Sequence, residues 1–418
     1  MSLFPSRCVA ALAAGAACAP LVAQTVTPLP VEGVPTGISG DGTVVVGHTP
    51  KPYRAFRLDP KGLTYLDEPA PVLGAFAASV SPNGVNVAGS QGYTMIVCGG
   101  TSPSLFTTPV AWLGGPAPID IGLLAGDNAG SAFGVSDTGV VCGVSAARQG
   151  AHRTCLSADH AFVWTREVGL TPLVPAAPIS EAVARAISAD GVTVAGTGET
   201  NVGERAFVWT AAGGMRVLPV PTTNGTSAAD DISDNGEQIA GRVNGRACLW
   251  VNEAPAMMLG ALPGEAPTVE STARFISGDG STVVGRATVW LDGFPPQTDV
   301  RSFIWDRVRG MRELRTALVE EFGVPLEGVF VPEVSGLSRT GRYMIADGAI
   351  DGERAPLLID LGRPAACIAD ADLNGLVNSD DFFALLAAFF AVNADVNEDG
   401  TTSSEDFFEF LSAFFGGC

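Results

Sequence analysis

The sequence predicts a mainly β protein, a seven-bladed β-propeller of four-stranded antiparallel blades, followed by a small α-helical C-terminal module. Three observations predict it. One turn phrase recurs seven times: ISGDG (38–42), VSPNG (80–84), VSDTG (135–139), ISADG (187–191), ISDNG (232–236), ISGDG (276–280) and LSRTG (337–341). Most of these repeats close on an R/H-A-F-x-W-like strand. Beyond residue 362 the composition changes, with ten Asp/Glu and no Lys/Arg between Cys367 and Cys418. Repeats at this period mean stacked or radially arranged units, and a residue that recurs in every unit serves geometry before chemistry.

One repeat, residues 184–219, shows how a blade is built. AISA is a short apolar strand, and Asp190-Gly191 is a tight-turn pair. VTVAG is a β-branched strand, GETNVGE a polar loop, RAFVW an aromatic strand and, after AAGG, MRVLP a fourth strand. Four short strands joined by turns form a meander that exposes two apolar faces when alone. Seven copies set radially bury those faces against one another. The turn glycines, from Gly42 to Gly341, are 42 to 61 residues apart, and the extra length falls at 91–108, 146–158, 286–300 and 316–333. The last repeat has only three strands, within 336–338, 342–348 and 355–362. The segment VTPLP (26–30) reads like a fourth strand, so it is expected to pair beside 355–361 and close the ring. Closure removes exposed sheet edges.

The bulk numbers agree with this fold and exclude some functions. The chain has 418 residues, 51 Gly, 29 Pro and a formal net charge of -20. Such acidity disfavours nucleic acid and anionic membrane. Residues 1–23 read as an export signal, with Arg7, the apolar run 8–23 and a cleavage-compatible Val22-Ala23, and are too short for a transmembrane span. A lipoprotein reading would lipidate Cys18, although Gly15-Ala16-Ala17 lacks the expected Leu. The domains are therefore 1–23 signal peptide, 24–362 propeller and 363–418 tail, in a secreted or cell-surface protein. Six cysteines remain: Cys98, Cys142, Cys155, Cys248, Cys367 and Cys418. They allow fifteen pairings. Cys142–Cys155 brackets an insertion, and Cys367–Cys418 brackets the tail. The second bridge would constrain the unfolded chain by about 4 kcal/mol.

Within the repeats the tempting residues have structural readings. Trp112, Trp164, Trp209, Trp250 and Trp305 end apolar strands and are expected between blades, while Trp290 follows one in an insertion. Asp41, Asp190 and Asp279 stand where Asn83 and Asn235 stand in other repeats, so they are expected to support turns. His48, His152 and His160 lack metal-ligand spacing, and His160 fills a slot that Arg fills elsewhere. No catalytic residues are assigned, and no nucleophile elbow, zinc, phosphate-loop or dinucleotide motif is present. This pattern, with His160-Ala161-Phe162, Arg54-Ala55-Phe56, Arg205-Ala206-Phe207 and Arg301-Ser302-Phe303, resembles the extracellular HAF-type repeat proteins over residues 30–362. The stretch 312–330 also looks like the short helix that such proteins carry before a final repeat.

The tail carries a metal prediction. Two twelve-residue loops, 370–381 and 395–406, place oxygen ligands at positions 1, 3, 5, 9 and 12, a carbonyl at 7 and Gly at 6. Asp370, Asp372, Asn374, Leu376 (carbonyl), Asn378 and Asp381 would hold one Ca²⁺. Asp395, Asn397, Asp399, Thr401 (carbonyl), Ser403 and Asp406 would hold a second. Each loop leads into an FF-x-x-L-x-A-FF helix, 382–390 and 407–415, and the two should pack on each other while leaving some Phe exposed as a partner surface. The duplicated loop-helix resembles a dockerin domain of the type ending in Gly-Cys, here Gly417-Cys418. That resemblance implies a calcium-dependent protein partner, a cohesin or an envelope component. The function expected is a non-enzymatic binding or structural protein, displayed through its tail, with a glycan or protein ligand on the propeller loops. The alternatives are an exported polysaccharide-active enzyme using loop acids such as Glu199, Glu204, Glu253 and Glu265, or a passive spacer.

Overall fold

The computed structural model describes residues 24–68, 73–95, 104–148, 157–175, 177–221, 225–263, 270–291, 297–362 and 379–390, with positions 404, 407, 408, 410, 411 and 414 of a second tail helix. Blade 7 begins at the N-terminus with β1 (Thr25–Pro28). Blade 1 is β2 (Val34–Ile38), β3 (Val45–His48), β4 (Ala55–Asp59) and β5 (Gly62–Tyr65). Blade 2 is β6 (Ala75–Val80), β7 (Asn86–Met95), β8 (Ser104–Leu113) and β9 (Ile119–Asp120). Blade 3 is β10 (Ala129–Val135), β11 (Val141–Arg148), β12 (Ser157–Thr165) and β13 (Gly169–Pro172). Blade 4 is β14 (Glu181–Ile187), β15 (Thr193–Glu199), β16 (Arg205–Thr210) and β17 (Gly214–Val217). Blade 5 is β18 (Ser227–Ile232), β19 (Gln238–Val243), β20 (Arg246–Val251) and β21 (Met257–Met258). Blade 6 is β22 (Ser271–Ile276), β23 (Thr282–Leu291), β24 (Gln297–Asp306) and β25 (Gly310–Glu313), followed by α1 (Leu314–Glu320). Blade 7 resumes with β26 (Val329–Phe330), β27 (Val334–Leu337), β28 (Tyr343–Ile350) and β29 (Glu353–Asp360). The tail contributes α2 (Ser379–Phe390).

The ring closes as its sequence requires. β1 pairs antiparallel with β29, Thr25 opposite Asp360 and Pro28 opposite Leu357. The Leu29 N–H then donates to the Pro356 carbonyl at 2.8 Å. The first strand of each blade packs on that of the next, and β27 meets β2 to complete the circle. Burial follows the same plan, because the apolar clusters lie between blades. Val46, Leu66, Ala77 and Trp112 join blades 1 and 2. Leu29, Ile38, Phe56 and Ile345 join blades 7 and 1. Leu314, Ala317 and Leu318 of α1 extend the cluster between blades 6 and 7. The helix occupies only seven residues of the helical stretch expected over 312–330, because Gly323 and Pro325 stop it early.

The recurring residues have specific tasks. In strand 3 of blades 1, 3, 4 and 6, Phe56, Phe162, Phe207 and Phe303 are completely buried. Each lies opposite a glycine of strand 2, namely Gly47, Gly143, Gly196 and Gly285. A Cβ at those glycines would strike the Phe ring and a strand 1 carbonyl. The second and third strands therefore specify each other. Trp112 and Trp250 are fully buried, and their indole N–H groups donate to Asp67 and Pro219 carbonyls of the preceding blade at 3.0 and 2.8 Å. Trp164 and Trp305 are buried and Trp209 partly so, whereas Trp290 stands on β23 about half exposed. The insertions expected at 91–108 and 286–300 are in part regular structure, since β7, β8, β23 and β24 each run ten residues.

One expectation is corrected here. The proposed Cys142–Cys155 bridge is not made: Cys142 is a free thiol on β11 with no solvent exposure. It packs with Ile187 and Phe207 between blades 3 and 4. Burial pushes its pKa up to about 12, so it acts as a small apolar residue. Cys248 is likewise free and buried. Cys98, Cys155, Cys367 and Cys418 lie outside the described residues, as does the signal segment 1–23.

Candidate functional site: the central channel

The two faces of the wheel differ, and the difference begins in the repeated turn. In all seven turns the Ser is buried. Its hydroxyl donates to the residue two further on where that is Asp or Asn: Asp41, Asn83, Asp190, Asn235 and Asp279, at 2.5–2.7 Å. Thr138 and Thr340 take that place in the other two turns. The same Ser oxygen accepts the N–H of Val44, Asn86, Val140, Thr193, Gln238, Thr282 or Tyr343 at 2.9–3.0 Å. The turn glycines take φ of +70 to +81°, the left-handed region that favours Gly. The turn acids are thus turn supports, as their sequence positions imply.

The seven turns also bond to one another. Gly40 N–H donates to Pro82 O, Asp137 N–H to Ala189 O, Ala189 N–H to Asp234 O and Asp234 N–H to Gly278 O. Gly278 N–H donates to Arg339 O, and Thr340 N–H to Gly40 O. Between blades 2 and 3 the Asn83 N–H donates to the Asp137 carboxylate at 2.8 Å. Every gap in the wheel is therefore bridged on this turn face. Arg339 of blade 7 reaches past blade 6 to blade 5 within the belt. It donates to the Ile232 and Ile276 carbonyls at 2.7 and 3.3 Å and pairs with Asp231 and Asp234 at 3.6 and 3.4 Å.

The opposite, loop face holds the hairpins between strands 2 and 3 and the connections between blades. In an antiparallel meander these all fall on one side. The described ends of the extra-length segments flank the β7–β8, β11–β12 and β23–β24 hairpins and the link from blade 6 to blade 7 on this face; the channel itself runs between the first strands of the blades. Its lining comes from an irregularity repeated in every blade. Strand 1 carries a β-bulge, and the register skips one residue per blade. Those residues are Thr36, Ala78, Phe133, Arg185, Asp230, Arg274 and Ser335. A bulge leaves its extra residue out of the ladder and re-aims its side chain. Six of the seven line a central cavity of about 210 Å³.

The ring of bulge residues is chemically lopsided. Blades 7, 1 and 2 contribute small side chains, blade 3 an aromatic one, and blades 4, 5 and 6 Arg185, Asp230 and Arg274. Arg274 pairs with Glu333. Asp230 lies 3.7 Å from Arg242, which also binds Glu204 at 2.8 Å. Burial raises the Asp230 pKa, opposed by Arg242, Arg185 and Arg274. Burial likewise raises Asp231, opposed by Arg339 and by the Ile276 and Ile232 N–H groups. Asp234 is raised by burial against the same Arg339. Asp230 Oδ2 and the Ser79 hydroxyl are buried and accept or donate no hydrogen bond among the described residues.

None of these channel residues was singled out by sequence reasoning. A signal exists nonetheless, because each bulge residue stands three places before the motif Ser: T-G-I-S, A-S-V-S, F-G-V-S, R-A-I-S, D-D-I-S, R-F-I-S and S-G-L-S. The loop acids named from the sequence are divided between the two faces of the wheel. Glu199 and Glu204 flank the β15–β16 hairpin on the loop face, and burial followed by Glu204, Glu181 and Asp159 raises Glu199. Glu253 belongs to the turn face, where Arg216 holds it through two hydrogen bonds of 2.9 and 2.5 Å. Glu265 lies outside the described residues. His160 is a loop-face rim residue, its Nδ1 3.0 Å from Asp127. His48 is half-buried, and that burial lowers its pKa, and His152 lies outside the described residues.

Of the predicted calcium ligands only Asp381 is described, buried in the first turn of α2. Asp370, Asp372, Asn374, Leu376, Asn378, Asp395, Asn397, Asp399, Thr401, Ser403 and Asp406 lie outside the described residues. The two tail helices do meet: Phe382 and Phe389 approach Phe407 with ring centroids 6.3 and 6.0 Å apart. Phe410 and Leu385 are buried, and Phe383, Phe390 and Phe408 are exposed.

No protein-family model matches this chain, and no curated protein sequence matches it. Solved structures do. An oligogalacturonate lyase from Vibrio parahaemolyticus aligns with 80% of this chain and 93% of its own at 10% identity and a TM-score of 0.51. TolB from Acinetobacter baumannii aligns over 68% of this chain and 64% of its own at 12% identity and a TM-score of 0.35. An acylaminoacyl peptidase aligns over 76% of this chain and 49% of its own at 10% identity and a TM-score of 0.44. At these identities the likeness to the lyase is one of fold.

Proposed function

We propose that this chain is an exported, non-enzymatic binding propeller, displayed through a calcium-stabilised tail, whose ligand enters the central channel from the loop face. One observation carries the channel reading: the turn face is bridged all round, with Arg339 reaching blades 5 and 6, while six blades each send one bulge residue to the wall of the central cavity. A ligand surface of that kind discriminates by side-chain chemistry and needs no catalytic group. Among the described residues no helix is long and apolar enough to cross a membrane. In this reading attachment is the task of the tail, as a dockerin-like module holding two Ca²⁺ and a protein partner, either a cohesin or an envelope component. The exposed Phe383, Phe390 and Phe408 supply an apolar surface for that partner.

Two measurements test this. Ala78→Phe puts an aromatic ring into the channel on its small-residue side. Any glycan or small ligand retained by the wild type in a binding panel should be lost by this variant, and equal binding by both proteins sinks the channel reading. Calorimetry of the full chain should show calcium uptake, and Asp370→Ala with Asp395→Ala should abolish it. Absence of heat on adding Ca²⁺ removes the tail reading.

A further inference from the structure

We infer that the channel ligand is a small monoanionic carboxylate rich in hydroxyl groups, a sugar acid, with its carboxylate held by Arg185. This inference rests on the channel reading above and names the ligand class. Three arginines reach the channel, and two are already engaged. Arg339 is spread over two carbonyls and two aspartates. Arg274 is paired with Glu333. Arg185 lines the cavity, is exposed and, among the described residues, makes no hydrogen bond or close ion pair, although it lies near enough to Asp230 to favour the charged form of that carboxyl. It projects from a bulge, out of the ladder, and its planar guanidinium matches a carboxylate in a two-point contact.

The neighbours of Arg185 in the ring restrict the anion further. On one side stands Asp230, which lines the cavity and has its Oδ2 buried 3.7 Å from Arg242. A carboxylate there repels a second negative charge on the ligand. Among the described residues that line the cavity, Arg185 is the one arginine without a close ion pair, and its place beside an acid fits a monoanion better than a phosphate dianion. On the other side stands Phe133, an apolar face for the C–H side of a pyranose ring. Across the channel the small side chains of Thr36 and Ala78 leave room. The cavity, about 210 Å³, lies below the ~300–1,000 Å³ typical of clefts for drug-sized ligands. That size admits a monosaccharide unit.

The test is calorimetric titration of the full chain at pH 7 and low salt with D-glucuronate, D-glucose and D-glucose 6-phosphate. Glucuronate should bind at least about tenfold tighter than glucose, the scale of a charge-assisted contact. Arg185→Gln should remove that preference, Arg185→Lys should keep part of it, and neither should shift the thermal midpoint. Glucuronate binding no tighter than glucose, or a preference that survives Arg185→Gln, overturns the sugar-acid inference and leaves channel binding standing. Tighter binding of glucose 6-phosphate overturns the monoanion. Glucuronate binding that persists in Ala78→Phe overturns the channel reading itself. No binding of any of the three sugars overturns the ligand class.

Discussion

At the scale of the residue, the motif serine carries most of the turn. One hydroxyl both donates to a side chain and accepts a backbone N–H, and it does so without solvent. In Ser233→Ala the Gln238 N–H loses its acceptor, and the side-chain amide oxygen of Asn235 loses one of two donors, keeping the Glu237 N–H. The expected loss is about 1–3 kcal/mol in urea unfolding, and Ser188→Ala should match it. Asp190→Asn should cost far less, because Asn83 and Asn235 already hold that place. These roles were legible from recurrence alone. The thiol of Cys142 was not: its position in the chain suggested a bracketed loop, but strand periodicity points its side chain into a blade interface. It should resist thiol reagents until the protein unfolds, and rapid labelling of the native protein at that residue would contradict the burial described.

At the scale of the element, the closing strand matters most. β1 covers the outer edge of β29, and Val26 packs partly into the cluster between blades 6 and 7. Deleting Thr25–Pro28 would remove four ladder positions and leave β29 as a free edge. Stability should fall by at least about 3 kcal/mol, with self-association visible by size-exclusion chromatography. A variant as stable and monomeric as the wild type would show that closure contributes nothing. Pairing of 26–30 with 355–361 was readable, because an incomplete last repeat and a surplus first strand complement each other. The bulges were not read, because a skipped residue is a property of two strands in register and leaves only a faint trace in one of them. Likewise Glu199 and Glu253 look equivalent along the chain, yet meander topology sends them to opposite faces.

At the scale of the whole molecule, the belt of turns and its Arg339 tie blade 7 to blades 5 and 6. Arg339→Met would leave Asp231 and Asp234 unpaired. The expected loss is roughly 2–3 kcal/mol at pH 7, below the figure for a fully buried pair because Asp234 retains solvent. Burial already raises both carboxyl groups above their usual 3.8, and removing Arg339 raises them further. A carboxyl with a raised folded pKa binds more protons folded than unfolded, so its penalty grows as pH climbs from near 3.8 through the folded value. The deficit of the variant should therefore be larger at pH 7 than at pH 4 in denaturant melts. A deficit that does not change with pH would mean that the arginine acts through packing alone. The ring of bulges has a different kind of consequence. Seven positions sit outside the ladders of their sheets, so those whose side chains hold no polar partner, such as Ala78 and Phe133, can be recoded without retuning the scaffold around them. On the proposed reading, single exchanges there would move the wheel from one guest molecule to another, and an engineer could randomise those codons as a selection library.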